Sequence, residues 1–152
     1  MKLNKKLIFI IISGLLLTGI FLKNFSTQSK QKTVKAQING NEFVLDVADN
    51  EELRSKGLSG RNFLADNSGM IFIFPEKNYY TFWMKDMKFP LDFIWVDDNI
   101  IKDITENVLP PVGAELTDIA RVNPGSKINK VIEVSAGTIK KLNLQIGDNV
   151  EF

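Results

Sequence analysis

The chain has 152 residues, with 19 Lys plus Arg against 18 Asp plus Glu, and contains neither cysteine nor histidine. That length allows one ordinary domain and a short appendage, and a composition 44% hydrophobic and 24% charged excludes both a disordered acidic chain and a polytopic membrane protein. The missing residue types exclude disulfides, thiolate nucleophiles, a lipid-modified N-terminal cysteine, a Ser-His-Asp triad and metal sites built on Cys or His.

Residues 1–23 read as an export signal. Lys2, Lys5 and Lys6 precede a run from Leu7 to Leu22 that is apolar apart from Ser13, Gly14, Thr18 and Gly19. As a helix it would rise about 24 Å, slightly less than the roughly 30 Å hydrocarbon layer. That fits a signal-peptide core or a short anchor. The residues that follow, Lys23-Asn24-Phe25-Ser26, offer no small-x-small cleavage site, which favours an uncleaved N-terminal hydrophobic helix. The flanking lysines place the N-terminus in the cytoplasm and everything after Lys23 outside, in a single-pass topology; secretion after cleavage is the alternative. Residues 24–33 read as a polar, flexible linker. Setting the first four lysines aside leaves 15 basic and 18 acidic residues, a net charge of −3 with no basic patch for nucleic acid.

Residues 34–152 read as a single β-rich domain. Val34 to Ile38 and Phe43 to Val47 alternate around Asn39-Gly40-Asn41-Glu42, the pattern of a β-hairpin. With Gly40-Asn41 as the loop, Lys35 lies opposite Asp46; an Asn39-Gly40 loop keeps the same faces, so the register stays open. Asp49 with Glu52 has capping-box spacing, and Gly57 is placed to end one short helix. Met70 to Phe74 is apolar on both faces, as in a doubly buried strand. Tyr79 to Lys85, Leu91 to Asp97 and Ile100 to Ile104 follow as strands. Lys130 to Val134 is another, Thr138 to Leu144 a helical turn or two, and Gly147-Asp148 turns into a last strand with Val150. Glu106 to Asn129 carries three prolines and two glycines with weak periodicity; such a long connection is either functional or packed over an open sheet edge. The expected fold is α+β: a small, strongly bent or barrel-like mixed sheet with two short helices.

Four blocks in order carry a family resemblance: Arg54-Ser-Lys-Gly-Leu-Ser-Gly-Arg61, Gly69-Met-Ile-Phe-Ile-Phe74, Phe82-Trp-Met-Lys-Asp-Met87 with Pro90-Leu-Asp92, and Val131-Ile-Glu-Val-Ser-Ala-Gly137 with Gly147-Asp148. From about Ile38 to Phe152 the chain resembles the domain of unknown function 192 family, small prokaryotic domains often preceded by an export signal. It departs from the family pattern at Ser59, where Met is common, and at Asp86-Met87, where Asn-Thr is common. The resemblance implies a compact β-rich fold and no settled activity.

The candidate chemistry lies around Phe82 to Asp92. In an extended segment Trp83 and Lys85 share one face while Tyr80, Phe82 and Met84 share the other. An indole beside an ammonium suits a flat or anionic ligand. Asp92 lies on the strand face opposite Leu91, Phe93 and Trp95, with Lys85, Arg61 and Arg54 as possible partners. The blander reading is aromatic packing, a structural ion pair and loop anchoring by Arg61. The ligand-binding candidates are therefore Arg54, Arg61, Trp83, Lys85 and Asp92, with no metal site and no cofactor expected. The leading expectation is a membrane-tethered ligand-binding or accessory module of the cell envelope, taking a small polar or anionic ligand and no nucleic acid. The alternative is a hydrolase or lyase on a carbohydrate or acyl substrate that works through Lys85 and Asp92. A structural partner with an exposed apolar patch near Glu106 to Asn129 is a third possibility.

Overall fold

The computed structural model describes residues 31–112 and 119–152. The expected N-terminal helix and most of the linker lie outside the described residues. Among the described residues, no helix is long and apolar enough to cross a membrane.

Local rules account for most of the chain order. Strands β1 (Thr33–Ile38) and β2 (Asn41–Ala48) form the expected hairpin. Its loop is Asn39-Gly40, both at positive φ (46° and 75°), which matches the tight turn whose twist suits a hairpin. Lys35 therefore faces Val44 across the ladder and pairs with Glu42 at 2.9 Å, rather than lying opposite Asp46. Helix α1 (Glu51–Lys56) starts one residue later than the capping-box spacing suggested. Asn50 caps it, accepting the Leu53 amide at 3.0 Å, while Glu51 and Glu52 complement the positive end of the first turn. Gly57, at φ 50°, stops it.

Strands β3 (Ser68–Asn78), β5 (Leu91–Asp97), β6 (Ile100–Val108) and β8 (Ile128–Ser135) carry most of the remaining ladder. Tyr79 to Lys85 is not one long strand. The Asn78 side chain accepts the Tyr79 amide at the exit of β3, and Asp86 takes a left-handed conformation beyond Lys85. Only β4 (Phe82–Trp83) remains extended between these two turns, paired with β7 (Arg121–Val122) from the Pro-rich connection. Helix α2 (Thr138–Leu142) and β9 (Val150–Glu151) complete the chain.

The main sheet has seven strands in the order β6-β5-β8-β3-β2-β1-β9; β2 and β3 run parallel through the α1 crossover, and the other pairs are antiparallel. The sheet curls until its edges meet. Asn149 bridges Ile100, and the Ile101 amide donates to Asp148 O at 2.9 Å while Gly147 donates back to Ile101 O at 2.8 Å. Such contact leaves little free edge on this side of the sheet. The architecture is the expected strongly bent mixed sheet with two short helices.

Side chains that alternate along the central strands build two cores. Ile71, Ile94, Ile132 and Val134 fill the concave side. Met70, Phe72, Phe93, Trp95 and Val131 face outward into a second core, packed against Leu58, Met84 and Met87 and the aromatic β4–β7 ribbon. The apolar-on-both-faces character of Met70 to Phe74 thus has a direct structural cause.

Candidate functional site

The outer core is not sealed. A cleft of about 270 Å³ opens between α1 with its following turn and the segment Phe74 to Trp83. One wall is Arg54, Gly57 and Ser59; the other is Phe74, Tyr80, Phe82 and Trp83; Phe72, Met87 and Glu133 lie beneath. The aromatic wall is braced by ring packing. Tyr80 stacks on Phe74 with centroids 3.6 Å apart, and Phe82 presents edge contacts to Phe72 at 4.8 Å and to Trp95 at 5.6 Å. The two walls are also tied to each other, since Ser59 Oγ donates to Lys85 O at 2.9 Å and the Gly60 amide to Asp86 O at 3.0 Å.

Glu133 is the feature with most chemical consequence. It lies on β8 between Met70 of β3 and Phe93 of β5, pointing into the outer core with only 5% of its surface exposed. Removal from water raises its carboxyl pKa to about 8, although the positive charge of Arg61 pulls the other way. At neutral pH the side chain is therefore mainly a neutral acid, one O–H donor with acceptor capacity left. An acid of this kind at the bottom of an aromatic cleft is a common form of binding or proton-transfer site.

The residues singled out from the sequence are only partly brought together. Arg54 and Trp83 line the cleft from opposite walls. Arg54 Nη1 donates to Ile73 O at 2.9 Å, and its guanidinium lies 5.2 Å from the Phe74 ring centroid. Trp83 is 48% exposed and has the Lys85 ammonium 5.7 Å from its ring centroid, so the expected indole–ammonium pair forms. Arg61 is directed elsewhere: its Nη2 meets Asp46 Oδ2 at 2.6 Å, beside a second hollow that it shares with Leu53 and Met70.

Asp92 does not join the others, which corrects its place among the ligand-binding candidates. It is fully buried toward the concave core, and its partners are backbone amides rather than any of the three cations. Oδ1 accepts the Asn107 amide at 2.8 Å and Oδ2 the Ile139 amide at 2.9 Å. A joint proton-transfer role with the exposed Lys85 has no shared cavity to occur in. Glu133 was missed as a candidate, yet a signal for it existed. Its neighbours Val131, Ile132 and Val134 mark a strand buried on both faces, and such a strand has no wet side for a carboxylate.

The fold and the cleft together define a small β-rich domain with an aromatic-walled cleft above a buried acid. Residues 33–152 match the DUF192 family, described as "Uncharacterized ACR", and the chain belongs to that family. No curated protein matches it. Two solved structures are similar. One, from Sinorhizobium meliloti 1021, is named a "putative transcription regulator"; it is 28% identical with a TM-score of 0.73 over 82% of this chain and 96% of its own. The other, a protein of unknown function from Novosphingobium aromaticivorans DSM 12444, is 28% identical with a TM-score of 0.71 over 83% of this chain and 89% of its own.

Proposed function

We propose that this domain is a small-molecule binding module whose site is the cleft between α1 and the Phe74–Trp83 wall. The observation that carries this reading is the Glu133 carboxyl beneath a wall of half-buried aromatic rings that ends in the exposed Trp83. A buried polar group costs free energy unless it is partnered, and a ligand hydroxyl or carbonyl could supply a partner while its apolar face covers the rings. The transcription-regulator name of the rhizobial neighbour is not carried over, because the chain from residue 25 onward has a net charge of −3 and no basic stripe in its sequence. The basic start and apolar run of residues 2–22 support presentation of the module outside the cytoplasmic membrane on an uncleaved anchor.

The binding reading is tested by thermal unfolding of the full-length chain against cyclic metabolites and cell-envelope sugars. A true ligand raises the midpoint in the native chain and loses that effect in Trp83→Ala, which removes the exposed ring of the aromatic wall. Equal shifts in both proteins, or no shift with any compound, would sink the assignment. The topology is tested by adding protease to intact cells: degradation of the domain supports an outward location, and full protection refutes it.

A further inference from the structure

The charges around the cleft are not balanced. Arg54 and Lys56 line it together with a single carboxylate at its edge, Glu51. A third cation, the Lys85 ammonium, stands over the wall residue Trp83. The remaining acid, Glu133, is held mainly neutral at pH 7 by burial, with its pKa pushed up to about 8. Arg61, the cation whose charge acts on Glu133, is already paired with Asp46 at 2.6 Å. The bottom of the cleft is apolar and uncharged, and its mouth carries an excess of positive charge.

We propose that the cleft takes a small, flat-ringed monoanion that enters ring first. The ring packs against the wall formed by Phe82 and Trp83, a hydroxyl or carbonyl meets Glu133, and a carboxylate or phosphate stays at the mouth near Arg54 and Lys56. This ligand class rests on the binding role proposed above. It follows from three constraints. The volume suits one ring with a short tail. A cation is disfavoured by the cations at the entrance and meets no negative charge in the neutral acid below. Arg54 spends one nitrogen on Ile73 O, and a guanidinium has five donors, so it keeps others for an anion.

The test uses three probes that share a phenol ring and a two-carbon tail: 4-hydroxyphenylacetate, 4-hydroxyphenylethanol and tyramine. Affinity is measured by calorimetry on the full-length chain, and placement by the indole N–H resonances. The chain has two tryptophans, so Trp83 reports the cleft while Trp95, buried and bonded to Thr105 Oγ1 at 2.9 Å, serves as an internal reference. The anion should bind about tenfold tighter than the alcohol, the scale of one favourable charge contact, with tyramine weakest. Arg54→Gln with Lys56→Gln should bring anion and alcohol to about the same affinity. Because Arg54 also braces the wall, Lys56→Gln with Lys85→Gln, both exposed, is measured in parallel and should narrow the preference at least partway. Glu133→Gln should keep the anion preference, since an amide still donates. Equal or tighter binding of the alcohol or of tyramine, with Trp83 shifting, overturns the ligand class and leaves the cleft as a binding site. If no probe moves Trp83 or releases heat, both the class and the binding role fall.

Discussion

The Glu133 carbonyl oxygen approaches Gly69 so closely across the β3–β8 ladder that a Cβ at Gly69 would overlap it. Leu45 and Val134 side chains would crowd the same atom at 3.1 Å each. Only glycine lets these two central strands come together here, and this ladder is what supports the Glu133 side chain on the opposite face. Gly69→Ala should therefore destabilise the domain by about 3 kcal/mol through overpacking. Urea unfolding checks it: an unchanged midpoint would mean that the strands are not so tightly apposed.

Burial of Glu133 makes stability depend on pH with a definite sign. Its pKa in the folded chain is raised to about 8 from an ordinary 4.5. Between those values the native state keeps a proton that the unfolded chain has released, so the native state loses stability as pH rises. The contribution is fully present below about pH 4.5 and exhausted above about pH 8, changing by at most about 1.4 kcal/mol per pH unit between. Glu133→Gln cannot ionise and should show no such slope. Thermal midpoints at pH 5 and pH 8 should fall farther in the native protein than in the variant; parallel curves would place Glu133 in contact with water.

Asp92 joins three elements through two amides. It reaches from β5 to Asn107 on β6 and to Ile139, 47 residues later, in the first turn of α2. Gly137 at the start of that helix makes no side-chain cap, so Asp92 supplies from a distance what a local Ser or Asp would normally supply. Asp92→Ala strands two amides and removes a buried side chain, with an expected loss of about 2–5 kcal/mol. Asp92→Asn keeps one acceptor oxygen and should lose roughly half as much. Amide exchange separates this role from a ligand role: Ile139 and Asn107 should lose protection first. Full protection in Asp92→Ala would refute the bracing function.

What could be read from the sequence follows from the range of the interactions. The hairpin, α1 and its Gly57 stop, and β5 are governed by contacts within a few residues, so turn chemistry and alternation locate them. The doubly apolar Met70 to Phe74 even announces that the sheet has a core on each side. The cleft is different, because its walls come from segments joined only by tertiary contacts, such as Ser59 with Lys85. Trp83 and Lys85 are legible as a pair because they lie two residues apart on one extended segment, whereas the chemistry that makes Arg61 a candidate says nothing of its partner, which is Asp46. Asp92 misled for a related reason: alternation gives its face but not its partners, and backbone amides are invisible to an inventory of charged side chains. Glu133 required a second inference, that a strand apolar on both faces buries whatever polar residue it carries.

Arg61 provides a way to probe the acid without touching it. Its guanidinium is partly exposed and held by Asp46, yet its charge still lowers the Glu133 pKa against the larger effect of burial. Arg61→Gln removes that charge while leaving Glu133, Met70 and Phe93 in place. The Glu133 titration should therefore move upward from about 8, extending to higher pH the range in which the native chain loses stability. Asp46→Asn, which frees the guanidinium from its nearest counter-charge, should move the titration the other way. Both shifts can be read from the side-chain carboxyl carbon of Glu133 by NMR. A pKa unmoved by either change would mean that Arg61 is screened from the cleft by solvent, and that burial alone sets the protonation of the acid.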